Sequence, residues 1–299
     1  MNLSETIKRV LSLSNASVLQ KRQVQYGIGI IFILFLFWIS FRPKKVNAET
    51  HIVQRGTLIQ YVEEEGTTRV KEKFNILSPV NGVLNRVEKN VGDNVKKGEV
   101  VAVVDWDYKR EILSPISGKI LQIQRESAGP ITMGNPIMDI GDISLQEVVT
   151  EVLTEEAVKI QAGNPVILEG WGGDSLQGKV RIIEPEAFKK ISSLGVEEHR
   201  VRVLIDFVTP ENMGEGFKVL CKIETSREDN SILAPSSALF REGDNWALFK
   251  VVKGKATKTI LKIRSRSGGY ASVLEGLQEN EEVILFPGEG IKEGSKIKQ

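Results

Sequence analysis

"LSPVNGVLNRVEKNVGDNVKKGEVV", Leu77–Val101, is written again as "LSPISGKILQIQRESAGPITMGNPI", Leu113–Ile137. Leu-Ser-Pro, Gly82 and Gly118, Val95 and Ile131, and Gly98 and Gly134 each recur 36 positions apart; Gly92 and Gly129 correspond with a slip of one residue. In each copy, short apolar runs alternate with glycine-bearing turns, which reads as strand, turn, strand, turn, strand. Glycine falls where the backbone turns sharply or takes positive φ. Pro79 and Pro115 stand where a strand begins, a place that tolerates a missing N–H. One copy of about 30 residues cannot bury a core alone, but two copies facing each other close a flattened β-sandwich with approximate twofold symmetry. Gly82, Gly98, Gly118 and Gly134 are then structural, and valine at Gly98 or Gly134 is expected to unfold the sandwich.

Working outward, the sequence beyond His51 is mainly β. In "RVRVLIDF", Val201, Val203, Ile205 and Phe207 share one face, and Arg200, Arg202 and Asp206 the other. "FKVLCKIE" places Phe217, Val219, Cys221 and Ile223 on one face, with Cys221 as a buried apolar side chain. "FKVVKGKATKTILKI" reads as two strands around Lys253-Gly254-Lys255. A helix is expected in "TEEAVKIQAG", with Thr154 as N-cap and Gly163 as stop.

N-terminal to this, residues 23–41 carry no charge, and "YGIGIIFILFLFWISF" is almost wholly apolar. As a helix they span roughly 28 Å, close to a hydrocarbon core of about 30 Å. Tyr26 and Trp38 lie near its ends, as aromatic belt residues do. The competing reading is a signal peptide cleaved after "VNA", before Glu49. The basic "RPKK" between the apolar stretch and that cut favours an uncleaved anchor.

Bulk composition narrows the function. The 40 basic and 39 acidic residues nearly cancel, so no nucleic-acid partner is expected. One cysteine excludes a disulfide framework within the chain and a multi-cysteine metal site. His51 and His199 stand far apart, the methionines do not cluster, and no HExxH, P-loop or GxSxG pattern is present. No catalytic, cofactor or metal residues are assigned, and the chain is not read as an enzyme.

The duplicated "SPxxG" segments resemble the biotinyl/lipoyl domain. In carriers of that class a modified lysine stands eight residues before the second "SPxxG" proline. Here that position is Asp107, with Lys109 two places late. Beyond the repeat, the order of segments is similar to the membrane fusion proteins, the HlyD-like periplasmic adaptors of bacterial efflux and secretion systems. The resemblance rests on "HIVQRGTLIQYVEEEGTTRV", the two lipoyl halves, "LTEEAVKIQAGNPVIL", "LGVEEHRVRVLIDF" and "VLEGLQENEEVILFPGEGIKEGSKI". Glu215-Gly216-Phe217 departs from the family's proline-glycine-methionine turn. Asn280 stands in a usual glycine place, a swap that left-handed geometry tolerates. Family members commonly insert a long helical hairpin between the halves. Only Trp106–Ile112 separate them here, whereas two helices of about 45 Å would need roughly 60 residues. The resemblance thus implies a hairpin-less adaptor.

It also implies a mainly β, elongated chain. Residues 1–22 are a cytoplasmic segment, 23–41 a transmembrane helix and 42–49 a linker. Residues 50–60 and 227–299 form a membrane-proximal β domain, 61–75 and 143–226 a β-barrel, and 76–142 the biotinyl/lipoyl-like sandwich. Expected partners are an inner-membrane transporter of ABC or RND type and further copies of the chain in a ring, with an outer-membrane channel as a further candidate. The chain would be a single-pass inner-membrane protein with its C-terminal bulk extracytoplasmic. Candidate partner contacts are Trp106, Tyr108, Asn90, Arg125 and Trp171, although the rings of Trp106 and Tyr108 could equally fold onto the sandwich edge and Trp171 into a local core. Two alternatives stay open: a tethered envelope-binding protein outside any pump, and a lipoyl or biotinyl carrier.

Overall fold

A computed structural model describes residues 46–298 of the chain. The span expected at 23–41 lies outside them; among the described residues no helix is long and apolar enough to cross a membrane. The described residues divide into one unit of Thr57–Asp229 and a second of residues 46–56 and 230–298.

Within the first unit the repeat forms two four-stranded sheets. Their orders are 129–131, 82–84, 100–105, 109–113 and 73–77, 136–141, 118–123, 94–95. Shifting either order by 36 positions produces the other. Each copy therefore gives two strands to both sheets, so the halves interleave and do not simply face each other. The core obeys the same rule: Ile76, Val80, Leu84, Val87, Val95, Val101, Ala102 and Val104 match Ile112, Ile116, Ile120, Ile123, Ile131, Ile137, Met138 and Ile140. In six of these eight pairs the first copy gives the smaller residue and the second the larger, and in the other two the sizes are equal, which keeps the interior filled across the pseudo-twofold axis. Ser78 and Ser114, both buried, donate their hydroxyls to Val80 O (2.8 Å) and Ile116 O (2.6 Å). The N–H of Gly134 donates to Ser78 O and that of Gly98 to Ser114 O, each at 2.8 Å. The repeated "LSP" is thus a turn that satisfies its own polar groups inside the sandwich.

The repeated glycines have two different causes. Gly98 and Gly134 take φ of 82° and 86°, and a Cβ on either would meet nothing within 4 Å. Gly82 and Gly118 are not in the left-handed region. A Cβ there would stand 2.5 Å from Asp105 O and 2.6 Å from Gly141 O, both rigid backbone. Strain of about 1–2 kcal/mol at Gly98 or Gly134 is small against the 5–15 kcal/mol typical of a domain. Valine at Gly98 or Gly134 would meet conformational strain alone, whereas at Gly82 or Gly118 it would also meet rigid backbone, so the second pair is expected to be the more sensitive.

Six strands close the barrel of this unit: Pro165–Glu169, Leu176–Ile191, Glu197–Phe207, Gln146–Leu153, Gln54–Val70 and Lys218–Pro235, the last pairing back onto the first. Val203, Ile205, Val219, Cys221 and Ile223 fill its interior, with Phe207 packed against them. Phe217 does not follow its alternation inward. It stays 40% exposed, with its N–H held by the Thr68 hydroxyl in the turn before the strand. The helix is a single turn, Thr154–Ala157, with Leu153 rather than Thr154 at the N-cap. Opposite the core, buried Glu147 lies between Arg69 and Arg181, and Arg181 also binds Asp206 at 3.0 Å.

The second unit is a sheet of strands Thr50–Ile52, Glu282–Ile284, Asn245–Val252, Lys255–Ser267 and Tyr270–Glu275 around Val53, Ile232, Leu248, Leu261, Val273 and Val283. Its 245–252/255–267 hairpin turns on Lys253 and Gly254, both at positive φ (50° and 71°), as a two-residue loop of this twist requires. Asn280 takes φ 65° in its glycine-like place.

Candidate partner-docking face of the sandwich

Strands Val100–Asp105 and Lys109–Leu113 are joined by Trp106, Asp107 and Tyr108, and the Trp106 N–H donates to Tyr108 O at 3.3 Å. Both rings stand in solvent, 64% and 60% exposed. Under the 36-residue symmetry this apex corresponds to residues 142–144, where the chain leaves the sandwich for the barrel. Other groups gather beside the apex through the strand ladder, in which Asp105 pairs with Val83 and Val83 with Pro130. Arg125 donates to Pro130 O at 2.7 Å, and the Met133 N–H donates to Asn81 Oδ1 at 2.9 Å.

The two copies differ in what they show to solvent here. Val83 (48% exposed), Trp106, Tyr108 and Met133 (69%) form the apolar side of this end. Their counterparts where the sandwich meets the barrel are Lys119, Asp142, Ser144 and Lys97. At these four positions one end thus carries two aromatics, a valine and a methionine and the other only polar groups, whereas Asp107 at the apex is matched by Ile143. Trp and Tyr supply large contact areas with a polar tip, the chemistry of a protein-binding surface. Val83 and Met133 were missed from sequence, although the repeat, compared position by position, marks both.

Asn90 does not join this group. Its turn lies against the barrel side, where Val91 and Gly92 share a depression with Lys73, Gly214 and Glu215. The Asn90 N–H binds Asp93 at 2.7 Å, and Lys89 is ion-paired with Glu99. That hydrogen-bonded pair lowers the Glu99 carboxyl and raises the Lys89 ammonium from their ordinary values. Trp171 is elsewhere again, half-buried against the barrel core, with its indole N–H on Asp174 O at 2.8 Å and its ring over Gly173. Its loop is therefore packed locally. Lys109 is the first residue of a strand, and the apex position belongs to Asp107.

A second apolar projection went unread in the sequence. Strand pairing by Gln146–Leu153 stops opposite Arg200, so Lys189–Ile191 and Glu197–His199 run on as a two-stranded ribbon. Ile191, Leu194 and Val196 are exposed at its tip, and Lys189 is neutralised by Glu197 at 3.0 Å and Lys190 by Glu151 at 2.7 Å. Cys221 is no candidate nucleophile: burial pushes its thiol up to about 12.

The family described as "Biotin-requiring enzyme" matches residues 74–140, and that described as "YknX, C-terminal permuted SH3-like domain" matches residues 231–299. YknX of Bacillus subtilis (strain 168), named as an efflux system component, is 26% identical over 200 residues, which cover 63% of this chain and 52% of that protein. The chain thus spans about half the length of the curated relative it matches. The crystal structure of MacA from Actinobacillus actinomycetemcomitans aligns with a TM-score of 0.65 at 14% identity, covering 80% of this chain and 99% of that one. A MacA-MexA chimera containing the Pseudomonas aeruginosa MexA α-hairpin domain aligns with a TM-score of 0.58, also at 14% identity, covering 78% and 98%. The resemblance to the membrane fusion proteins, read first from sequence order, is matched in fold and in these relatives.

Proposed function

We propose that this membrane-fusion-protein-like chain is a hairpin-less, non-catalytic adaptor, tethered by residues 23–41 to the inner membrane, that couples an ABC-type or RND-type transporter to export as part of a ring of identical subunits. The observation that carries this reading is the asymmetry of the sandwich: two exposed aromatics flank Asp107 at the three-residue apex where family members insert a helical hairpin, with Val83 and Met133 beside it. Trp106, Tyr108, Val83 and Met133, with Arg125 at the rim, are the docking face for the protein that a hairpin would otherwise reach. A swinging-arm carrier is disfavoured, since Asp107 holds the apex and carries no acylatable amine.

Photo-crosslinking residues placed at positions 106 and 108, in membranes of cells that express the cognate permease, test the proposal. The expected products are homo-oligomers and covalent complexes with transport machinery. A chain that stays monomeric and captures no transport protein from any labelled position refutes the adaptor reading. A mass increase of a lipoyl or biotinyl group on Lys109 would establish the carrier instead.

A further inference from the structure

Four lysines surround the point at which Val46 enters the C-terminal unit. Val46 pairs in parallel with Ile297 and Asn47 with Lys298. The Val46 N–H donates to Lys296 O at 2.9 Å, and the Ile297 N–H to Gly254 O at 3.0 Å. Lys255 stands directly across an antiparallel bridge from Lys296. Ala256 and Ile297 point inward, to a cluster with Phe249 and Ile284. Strand alternation then turns Lys255, Lys296 and Lys298 to the opposite, solvent side, and Lys253 stands at the adjoining turn.

This face differs from the rest of its own hairpin. Lys250, Lys258 and Lys262 are each paired with a glutamate (Glu281, Glu242 and Glu275). Among the described residues Lys253, Lys255, Lys296 and Lys298 have no ion-pair partner. Like charges directly opposite across a ladder disfavour the fold, and an anionic surface reverses the sign of that cost. Arg42, Lys44 and Lys45 immediately precede Val46, and the uncharged residues 23–41 precede those. The free basic face therefore sits where the chain arrives from its apolar stretch.

We infer that Lys253, Lys255, Lys296 and Lys298 form a docking surface for anionic phospholipid headgroups, held at the bilayer by the tether; this rests on the membrane anchor proposed above. The lysines fix the attitude of the C-terminal unit on the lipid in a way that a single flexible tether cannot. Attraction of this kind falls off within a Debye length, so only lysines at the surface contribute.

The test uses the full chain in nanodiscs of phosphatidylcholine alone and of phosphatidylcholine with phosphatidylglycerol, with lysine acetylation rates read by mass spectrometry. In anionic discs the four lysines should be acetylated about fivefold more slowly, the factor for ~1 kcal/mol per lysine at an anionic surface. Lys262, paired with Glu275 on the same hairpin, should not change, and high salt should abolish the difference. The double variant Lys296→Gln/Lys298→Gln should lose protection at Lys253 and Lys255 while keeping its circular dichroism spectrum. Insertion into both discs with equal acetylation overturns the lipid surface and leaves the anchor standing. Equal protection by inorganic phosphate in phosphatidylcholine discs also overturns it, in favour of a simple anion site. A chain that enters neither disc overturns the anchor and this inference together.

Discussion

Replacing Gly118 and Gly134 in turn by alanine and by asparagine separates a glycine needed for space from one needed for conformation. At Gly134 the backbone is left-handed and the surroundings are open, so alanine pays only strain, about 1–2 kcal/mol. Asparagine is several-fold enriched over other residues in that region, which corresponds to about 1 kcal/mol of relief, so Gly134→Asn should cost less than Gly134→Ala. At Gly118 a Cβ would lie 2.6 Å from Gly141 O and 2.8 Å from its carbonyl carbon. Two strands must part by about half an ångström, an overpacking cost of roughly 1–3 kcal/mol that grows with side-chain size. Gly118→Asn should therefore cost more than Gly118→Ala, the reverse of the order at Gly134. The assay is hydrogen exchange by mass spectrometry on peptides within 73–141 of the full chain, which isolates opening of the sandwich from unfolding of other parts. The same order of alanine and asparagine at both positions would refute the distinction. Gly82 should behave as Gly118 does, and Gly98 as Gly134.

Trp106→Ala and Tyr108→Ala should change sandwich stability by less than about 0.5 kcal/mol, because both rings are exposed, yet reduce recovery of the partner on affinity purification. Lys109→Ala should leave export activity intact, measured by substrate efflux from whole cells. Glu147→Ala strands Arg69 and Arg181 without their shared carboxylate and should destabilise the barrel by about 2 kcal/mol in denaturant titrations. Cys221, raised in the fold from 9.0 to about 12, stays protonated where the unfolded thiol ionises. Its contribution is complete below pH 9 and is lost as pH rises toward about 12, so stability should fall through that alkaline window and Cys221→Ala should flatten the fall. The native thiol should also resist a maleimide that labels it at once in guanidinium.

Sequence reading reached those features whose cause is local. The repeat exposed the sandwich, Lys253-Gly254 the two-residue turn, and Asn280 its glycine-like conformation, since each depends on a few adjacent residues. It could not reach features caused by distant backbone. Gly82 is glycine because of Asp105 O, and Gly118 because of Gly141 O, contacts that no spacing rule encodes. Interleaving of the two copies was likewise invisible, because period-2 alternation tells which face a residue takes but not which strand lies beside it. Phe217 alternates correctly and still stays 40% exposed, its N–H donated to the Thr68 hydroxyl in the turn before the strand. At the candidate site the aromatic pair was legible as an unusual apex. Val83 and Met133 became visible once the fold brought them beside it, and Asn90 was separated from it by the same geometry.

Each sheet of the sandwich draws equally on both copies, so the polypeptide between them is topologically idle once folding is complete. A protease cut between Asp107 and Tyr108 would yield two pieces that cannot part without dismantling the entire interior. The nicked molecule should elute at its original size and keep its native spectrum, and the severed halves, mixed from denaturant, should rebuild it.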